Sequence, residues 1–126
     1  MPCISIRDLI GCKFKVHGRN KEEGFDCYGL VIEIMKRQGI TIPDPIYTDI
    51  QKTEETYNQL MKKIKYEKLV KPVEYCIVLI DLKNARHIGV YLGNGDFIHA
   101  TENCGVIIEP IKRWNSKIEG FYKVKN

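Results

Sequence analysis

The chain has 126 residues, of which 44% are hydrophobic and 29% charged, a composition typical of one soluble domain with a single core. Its net charge of +4 is mild, and no basic stripe interleaved with aromatic residues stands out, which favours a solvated helix face over a nucleic-acid interface. No apolar run approaches the roughly 20 residues of a membrane-spanning helix, so we expect neither a membrane span nor nucleic-acid binding.

The first half of the chain is expected to form helices, over residues 4–11, 27–38 and 53–69. Ser5 is the candidate N-cap of the first helix, and a charged, glycine-containing loop follows over 13–24. Asp26 is the natural N-cap of the second helix, and Gly39 ends it. In the third segment, acidic residues precede the lysines, an order that suits the helix dipole.

The second half changes to period-two hydrophobic patterning, which predicts strands. The expected strands cover residues 74–80, 86–92, 96–100, 105–109 and 120–124. Asn94 and Gly95 form a strong hairpin signal between the second and third of these strands. The fold class is therefore α+β, a single domain over residues 1–126 in which N-terminal helices pack on a central antiparallel β-sheet.

The five cysteines have neither a CxxC pair nor a regular spacing, which favours a reducing compartment over a disulfide framework. Cys76 lies in an apolar run and is expected to be an inert core thiol. The start of the chain has no basic segment followed by an apolar one, so no secretory signal is recognised. We therefore expect synthesis in the cytoplasm, with a virion tail or another delivery route for any action at the cell wall.

Cys27 has the sequence context of a reactive cysteine. It lies in the first turn of the second predicted helix, where the helix dipole favours the thiolate and is expected to lower the pKa of the thiol. As an N-cap, Asp26 is expected to point at backbone N–H groups rather than at the sulfur. Gly29 has no side chain, so another backbone segment or a substrate can approach the helix there.

Two histidines lie on either side of the predicted hairpin. A turn near Asn94 puts His87, or its neighbour Arg86, roughly opposite His99 or the residue after it. On one face of the sheet the two imidazoles can hydrogen-bond, and His99 would then fix the tautomer of His87. A cysteine nucleophile needs an imidazole base and a third group that holds the base, so the chain is interpreted as a small cysteine hydrolase.

Two other interpretations of these residues stay open. Cys27, His87 and His99 could each be a structural residue of the core or the surface, the usual role of a single cysteine or histidine. Alternatively, Cys27, His87, His99 and Cys104 could bind zinc, but they lack the closely spaced ligand pair of such sites. No metal or cofactor is therefore expected.

Three sequence blocks together resemble the NlpC-type cell-wall cysteine peptidases, a papain-like family found in bacterial wall hydrolases and phage tail components. The blocks are DCYGLV at 26–31, HIGVYLG at 87–93 and IHA at 98–100. The resemblance spans nearly the whole chain and implies the papain-like NlpC fold, with Cys27 as nucleophile, His87 as base and His99 as orienting residue. It also implies a cysteine endopeptidase that hydrolyses peptidoglycan stem peptides at the bond after D-glutamate.

Two positions depart from the pattern of this family. Tyr28 stands where many members have Ser, and Phe14 stands where many have a tyrosine that helps to bind the substrate. With Asp26 they are the candidate substrate-binding residues, and the missing hydroxyl of Phe14 predicts weak selection for stems with a free amine. Two alternatives remain: a phage or prophage tail-tip subunit that partners other tail proteins, and an amidase, thioesterase or acyltransferase on the same scaffold.

Overall fold

A six-stranded antiparallel sheet forms the centre of the computed structural model, which describes residues 4–42, 44, 65–83 and 85–125. In chain order, the described elements are a 3-10 helix (Arg7–Leu9), strands β1 (Arg19–Asn20) and β2 (Gly24–Phe25), helix α1 (Cys27–Arg37), strands β3 (Tyr66–Leu69), β4 (Ile77–Leu82), β5 (Ala85–Tyr91), β6 (Asp96–Thr101) and β7 (Gly105–Pro110), a second 3-10 helix (Ile111–Lys117) and strand β8 (Ile118–Val124). The six-stranded sheet has the order β3-β8-β4-β5-β6-β7, and β1 and β2 form a separate hairpin. The predicted α+β class is confirmed.

Both faces of the sheet are buried. Along β4, Ile77 and Leu79 belong to one hydrophobic cluster and Val78 and Ile80 to another, because successive side chains of a strand point to opposite faces. Helix α1 packs into the larger cluster through residues that recur at helical spacing, namely Leu30, Val31, Ile34 and Met35. The smaller cluster is covered by Trp114 from the second 3-10 helix.

The ends of α1 follow the sequence prediction closely. The side chain of Asp26 caps the helix by accepting a hydrogen bond from the N–H of Gly29. At the other end, Gly39 takes a φ of 82°, a left-handed conformation that glycine adopts without strain. Arg37, in the last turn, binds Asp8 at 2.6 and 2.9 Å and so joins the helix to the N-terminal segment.

The first predicted helix is wrong in extent. Only Arg7–Leu9 is helical, as a single 3-10 turn, and Ile6 rather than Ser5 precedes it without a side-chain cap. Ile10 is extended, which lets Gly11 and Cys12 hydrogen-bond to Val106 of β7. Pairing with the edge of the sheet therefore replaces the further helical turns that the sequence predicted for residues 4–11.

The end of the third predicted helix is also wrong, whereas residues 53–64 of that helix lie outside the described residues. Tyr66–Leu69 form β3, paired along its whole length with β8. The ring of Tyr66 packs edge-on against Tyr122, with 5.2 Å between the ring centroids. The end of this segment therefore forms a strand instead of a helix, because it pairs with a strand from the far end of the chain.

All five predicted strands are confirmed, with ends that differ by at most three residues. The largest difference is the start of β4, because Tyr75 has a φ of 66° and the N–H of Cys76 closes a turn onto Val73. The sequence did not predict the β1–β2 hairpin, which lies in the expected loop, or the second 3-10 helix. With 11 residues, α1 is too short to cross a bilayer, and no other helix in the described ranges has a membrane-spanning length.

Candidate active site

Cys27 is the first residue of α1, and its half-buried thiol lies where the helix meets β5. The sulfur interacts with the backbone N–H of Ile88 in β5, and with the N–H groups of Tyr28 and of Cys27 itself. Because Ile88 follows His87 directly, this contact brings the helix N-terminus to the strand that carries the predicted base. β5 and β6 pair only at Val90–Ile98 and Tyr91–Phe97, so the two strands separate toward this end.

The pKa of Cys27 differs from the prediction. Burial and the nearby charge of Asp26 raise the pKa of the thiol to about 11, and the three backbone N–H groups only partly oppose them. The predicted lowering of the pKa is wrong because the argument from the helix dipole left out the cost of burying a charged sulfur. The free site therefore holds a neutral thiol at pH 7.

Asp26 lies in a cluster of opposite charges beside Cys27. Its Oδ1 accepts hydrogen bonds from the Gly29 N–H and from Arg19 Nη1, each at 2.7 Å, and its Oδ2 accepts one from the His17 N–H at 3.2 Å. Arg19 also donates two hydrogen bonds to Asp44, at 2.9 and 3.0 Å. Both oxygens of this candidate substrate-binding carboxylate are thus occupied by the chain itself.

The other candidate substrate-binding residues, Phe14 and Tyr28, pack beside Cys27 against the larger core cluster. Phe14 bridges to Phe25 of β2 through its backbone and is half-buried. Burial and the charge of Asp44 raise the pKa of Tyr28, so the phenol stays protonated. The structure therefore places both residues on the cysteine side of the site.

Gly29 permits a close approach of the chain to α1, as the sequence predicted. A Cβ at this position would collide with the carbonyl oxygen of Gly18 and would lie 2.8 Å from Arg19 Nη1. The space beside the helix is thus occupied by the segment that precedes β1. Arg19 follows this segment directly as the first residue of β1, so Gly29 lets the charge cluster form next to Cys27.

His87 and His99 form the predicted hydrogen bond, with 2.7 Å between His87 Nε2 and His99 Nδ1. The register differs by two residues from the expected one, because the pairing of Val90 with Ile98 places Gly89 opposite His99. His87 therefore reaches His99 diagonally along the same face. A Cβ on Gly89 would lie 3.1 Å from the Cβ of His99 and 2.8 Å from Phe97, so glycine leaves room for these two side chains beside β5.

A third side chain, which the sequence analysis missed, extends this pair. Glu109 of β7 lies with its Oε1 at 2.7 Å from His99 Nε2, and its Oε2 binds Arg113 Nη1 at 3.2 Å. The signal was present in the sequence. A turn centred on residue 103 pairs His99 with Ile107 and Phe97 with Glu109, and alternation then puts Glu109 on the face of His99.

Aromatic rings enclose the two histidines. His99 is completely buried, and Phe97 stacks on it with 4.3 Å between the ring centroids. Trp114, from the second 3-10 helix, stacks over His87 at 6.1 Å and meets His99 edge-on at 5.5 Å. The enclosed histidines lie beside the smaller core cluster, whereas Cys27 packs against the larger one. The candidate site therefore includes residues from both sides of the sheet.

The comparisons with known proteins identify the family of this fold. The sequence matches the model of the NlpC/P60 family over residues 11–121. The chain belongs to the NlpC/P60 family. The resemblance noted from the sequence blocks is thereby confirmed, and with it the type of fold.

Two curated relatives are similar to this NlpC/P60 domain. It is 29% identical over 115 residues to the murein DD-endopeptidase MepS/murein LD-carboxypeptidase of Escherichia coli K12, an alignment that covers 86% of this chain and 55% of the relative. It is 26% identical over 110 residues to the bifunctional muramidase/DL-endopeptidase CwlT of Bacillus subtilis, covering 86% and 31%. The chain thus spans about half or less of the length of these proteins.

A solved structure shows the same fold. An NLP/P60 family protein of Staphylococcus aureus, described as similar to lipoprotein, superposes with a TM-score of 0.68 at 18% identity. The match covers 96% of this chain and 39% of that one. In that protein, a domain of the same fold is therefore part of a longer chain.

In this NlpC/P60 domain, the pKa values of the histidine side favour neutral imidazoles. Burial and the proximity of His99 lower the pKa of His87 to about 4, and burial lowers the pKa of His99 despite its carboxylate partner. Burial opposes the ionisation of Glu109, but hydrogen bonds from His99 and Arg113 outweigh it and lower its pKa. At pH 7 the site combines a neutral thiol, two neutral imidazoles and one carboxylate.

The zinc alternative has no support from the positions of its candidate ligands. Cys104 is exposed in the turn before β7, where its N–H binds the hydroxyl of Thr101. Within the described ranges, no three His, Cys, Asp or Glu side chains are grouped so that they could hold a metal ion. Cys27, His87, His99 and Cys104 are therefore not grouped as metal ligands within those ranges.

Proposed function

We propose that this domain is a cysteine peptidase that hydrolyses an amide bond in peptidoglycan stem peptides. The observation that carries the proposal is the position of Cys27 at the start of α1, with its sulfur at the N–H of Ile88 beside the hydrogen-bonded histidines. These residues supply a nucleophile, a base and a group that orients the base. The names of MepS and CwlT support the choice of substrate class.

In the proposed reaction, the sulfur of Cys27 attacks the amide carbon while the thiol proton passes to His87. Proton transfer and attack are coupled, because the pKa of the thiol is about 11 and that of His87 about 4, so a preformed ion pair is scarcely populated. The oxyanion forms at the N-terminus of α1, where the N–H of Cys27 can stabilise it.

Completion of the reaction uses the same two residues. When the tetrahedral intermediate collapses, the C–N bond breaks and His87 gives its proton to the leaving amine. A water molecule then attacks the thioester, with His87 again accepting the proton. The products are a carboxylic acid and the restored thiol, and His99 holds the ring of His87 in place throughout.

We place the scissile bond after D-glutamate, a D–L linkage that agrees with the DL-endopeptidase in the name of CwlT. The DD-endopeptidase in the name of MepS makes a D–D bond the other possible target. Because both oxygens of Asp26 already bind groups of the chain, we expect no requirement for a free amine on the stem. Stems that remain attached to glycan should therefore be accepted.

Incubation with purified muropeptides, followed by mass spectrometry of the products, tests the proposal. We expect the wild-type protein to release fragments that correspond to hydrolysis after D-glutamate, and Cys27→Ser to release none. Cys104→Ser is the matched control, since Cys104 is exposed in a turn, and it should retain full activity. Hydrolysis by Cys27→Ser would overturn the assignment of the nucleophile, and cleavage at a D–D bond would overturn the assignment of the bond.

The alternatives from the sequence make different predictions for the same assay. An acyltransferase would give amide or ester products when an amine or alcohol is added, whereas a peptidase gives the free acid. A tail-tip subunit without turnover would give no product with any muropeptide. The tail role, with its tail-protein partners and virion location, stays a prediction, and we propose the cell wall as the place of action, reached by export or release.

A further inference from the structure

Glu109 ends a continuous chain of hydrogen bonds that begins at His87. The chain runs from His87 Nε2 to His99 Nδ1 at 2.7 Å, and from His99 Nε2 to Glu109 Oε1 at 2.7 Å. His87 contributes one ring nitrogen to this series of hydrogen bonds and His99 contributes both of its own. The position of the proton in one hydrogen bond therefore determines the position of the proton in the next. Which group donates and which accepts in each hydrogen bond of the series therefore follows from the group at its end.

The group at the end can only accept. The charged and titratable groups that face Glu109 are His99 from β6 and Arg113 from the second 3-10 helix, and both favour the carboxylate form. An ionised carboxylate has no proton to donate, so the proton of its hydrogen bond to His99 belongs to Nε2 of the imidazole. Because Arg113 is itself largely exposed, His99 is the stronger partner.

The remaining protons then have one arrangement. Neutral His99 with its proton on Nε2 has a lone pair on Nδ1, which must accept the proton of His87 Nε2. Neutral His87 with its proton on Nε2 has a lone pair on Nδ1. This nitrogen is left free for a proton from elsewhere.

We propose that Glu109 is a positioning residue, which sets through His99 the nitrogen of His87 that carries the proton. It leaves Nδ1 of His87 unprotonated and able to take up the thiol proton of Cys27. This inference rests on the proposed function for the roles of Cys27 and His87. It adds a fourth member to the constellation, one that acts on His87 only through His99.

The substitution Glu109→Gln tests the effect on the tautomers separately from the packing of the side chain, because it keeps the size of the side chain and removes the negative charge. A Gln amide can donate as well as accept. If the amide donates to His99 Nε2, donor and acceptor exchange in every hydrogen bond of the series. His87 then carries its proton on Nδ1, and this nitrogen can no longer accept the thiol proton. Glu109→Asp keeps the carboxylate and should keep the wild-type direction.

The tautomers can be observed directly by NMR of the ¹⁵N-labelled full chain, through long-range correlations of the ring nitrogens. The chain has only three histidines, and His17 lies exposed in a loop, so it is an internal reference. At pH 7 we expect His87 and His99 of the wild type to be protonated on Nε2, and Glu109→Gln to populate the Nδ1 form of both. A wild-type His87 protonated on Nδ1, or unchanged tautomers in Glu109→Gln, would overturn the proposal.

The consequence for the nucleophile is measured without any peptide substrate, by the rate at which iodoacetamide alkylates Cys27. We expect Glu109→Gln to slow alkylation roughly 10- to 100-fold, because the base has the wrong tautomer. Glu67→Gln makes the same chemical change on β3, at the opposite edge of the sheet, and should leave the rate unchanged. An equal rate in Glu109→Gln and wild type would contradict the proposed role.

These measurements also distinguish failure of the inference from failure of the proposed function. If muropeptides are not hydrolysed while the tautomers and alkylation rates change as expected, only the assignment of the substrate fails. If muropeptides are hydrolysed equally well by wild type and Glu109→Gln, only the role of Glu109 fails. The wild-type tautomers alone test the proposal should the substituted chain not fold.

Discussion

The two sides of the candidate active site are held by different kinds of contact. On the cysteine side, the guanidinium of Arg19 forms ion pairs with two carboxylates, those of Asp26 and Asp44. On the histidine side, single hydrogen bonds run in series from His87 to the carboxylate of Glu109. The cluster fixes the backbone at the start of α1, whereas the series fixes the positions of protons.

In the proposed mechanism, this difference decides which side activates the thiol of Cys27. The cysteine side does not activate its own thiol, because burial and Asp26 raise the pKa of Cys27 to about 11. Activation must therefore come from the histidine side, whose base is kept neutral by burial. We expect substitutions on the histidine side to reduce the rate, and those on the cysteine side to reduce stability more than rate.

The largest expected effect is that of His87→Ala. It removes the base, and kcat/KM on muropeptides should fall about a thousandfold or more. His99→Ala should fall less, roughly 10- to 100-fold, because an orienting group acts through the base. Both variants are to be assayed on one substrate, with His17→Ala as the control that stays at the wild-type rate. Equal and mild losses would mean that His87 is not the base.

The buried neutral state of His87 makes stability depend on pH. Its pKa is about 4 in the folded chain and about 6.5 when unfolded, so the unfolded state takes up a proton first as the pH falls. The free energy of unfolding should drop by about 3 kcal/mol between pH 7 and pH 4, with a further loss of the same sign from His99. Urea denaturation at several pH values measures this, and His87→Gln should show a shallower slope. The same slope in both proteins would contradict the assigned burial effect.

On the cysteine side, Arg19→Met should reduce the free energy of unfolding by about 2 kcal/mol, because the partly buried carboxylates of Asp26 and Asp44 lose their ion pairs with the guanidinium. It should also slow the alkylation of Cys27 severalfold, since the charge of Asp26 near the sulfur is no longer balanced. Arg37→Met, which breaks the ion pairs with Asp8 and Glu33, is the matched control. It should lower the stability but leave the alkylation rate unchanged, and a slowed rate there would show that the effect is not local.

The smallest expected effect concerns Phe14 on the same side. The wild type should discriminate weakly between free stems and stems still joined to glycan. Phe14→Tyr adds a hydroxyl group that can bind an amine, and about 1 kcal/mol for one hydrogen bond corresponds to a roughly fivefold gain for free stems. The measurement is kcat/KM for matched pairs of substrates, with Tyr28→Phe as the converse change. A strong preference of the wild type for free stems would contradict the argument from the missing hydroxyl.

The sequence predicted what depends on neighbours in the chain. Asp26 as the cap of α1 and the hairpin between β5 and β6 are local, so composition and spacing sufficed for both. β3 was assigned to a helix because its partner strand lies at the far end of the chain. Glu109 was not predicted because its contact with His99 depends on a third strand, β7, in addition to the two strands that carry the histidines.

The pKa of Cys27 could not be predicted for a related reason. The helix dipole is a property of local sequence, whereas burial depends on how α1 packs against the sheet. The second 3-10 helix is a similar case, because Trp114 acquires its position over the histidines only through the smaller core cluster. What the sequence could not supply in each case was the contact between segments distant in the chain.

Gly89 determines how this constellation could be moved to another scaffold. The two histidines are displaced by two residues from direct opposition, and the position opposite His99 has no side chain. A designer who transplanted only Cys27, His87 and His99 into a different sheet would place a Cβ here, against the ring of Phe97 and the Cβ of His99. The histidine pair is thus best transferred together with this glycine, which contributes empty volume rather than a functional group.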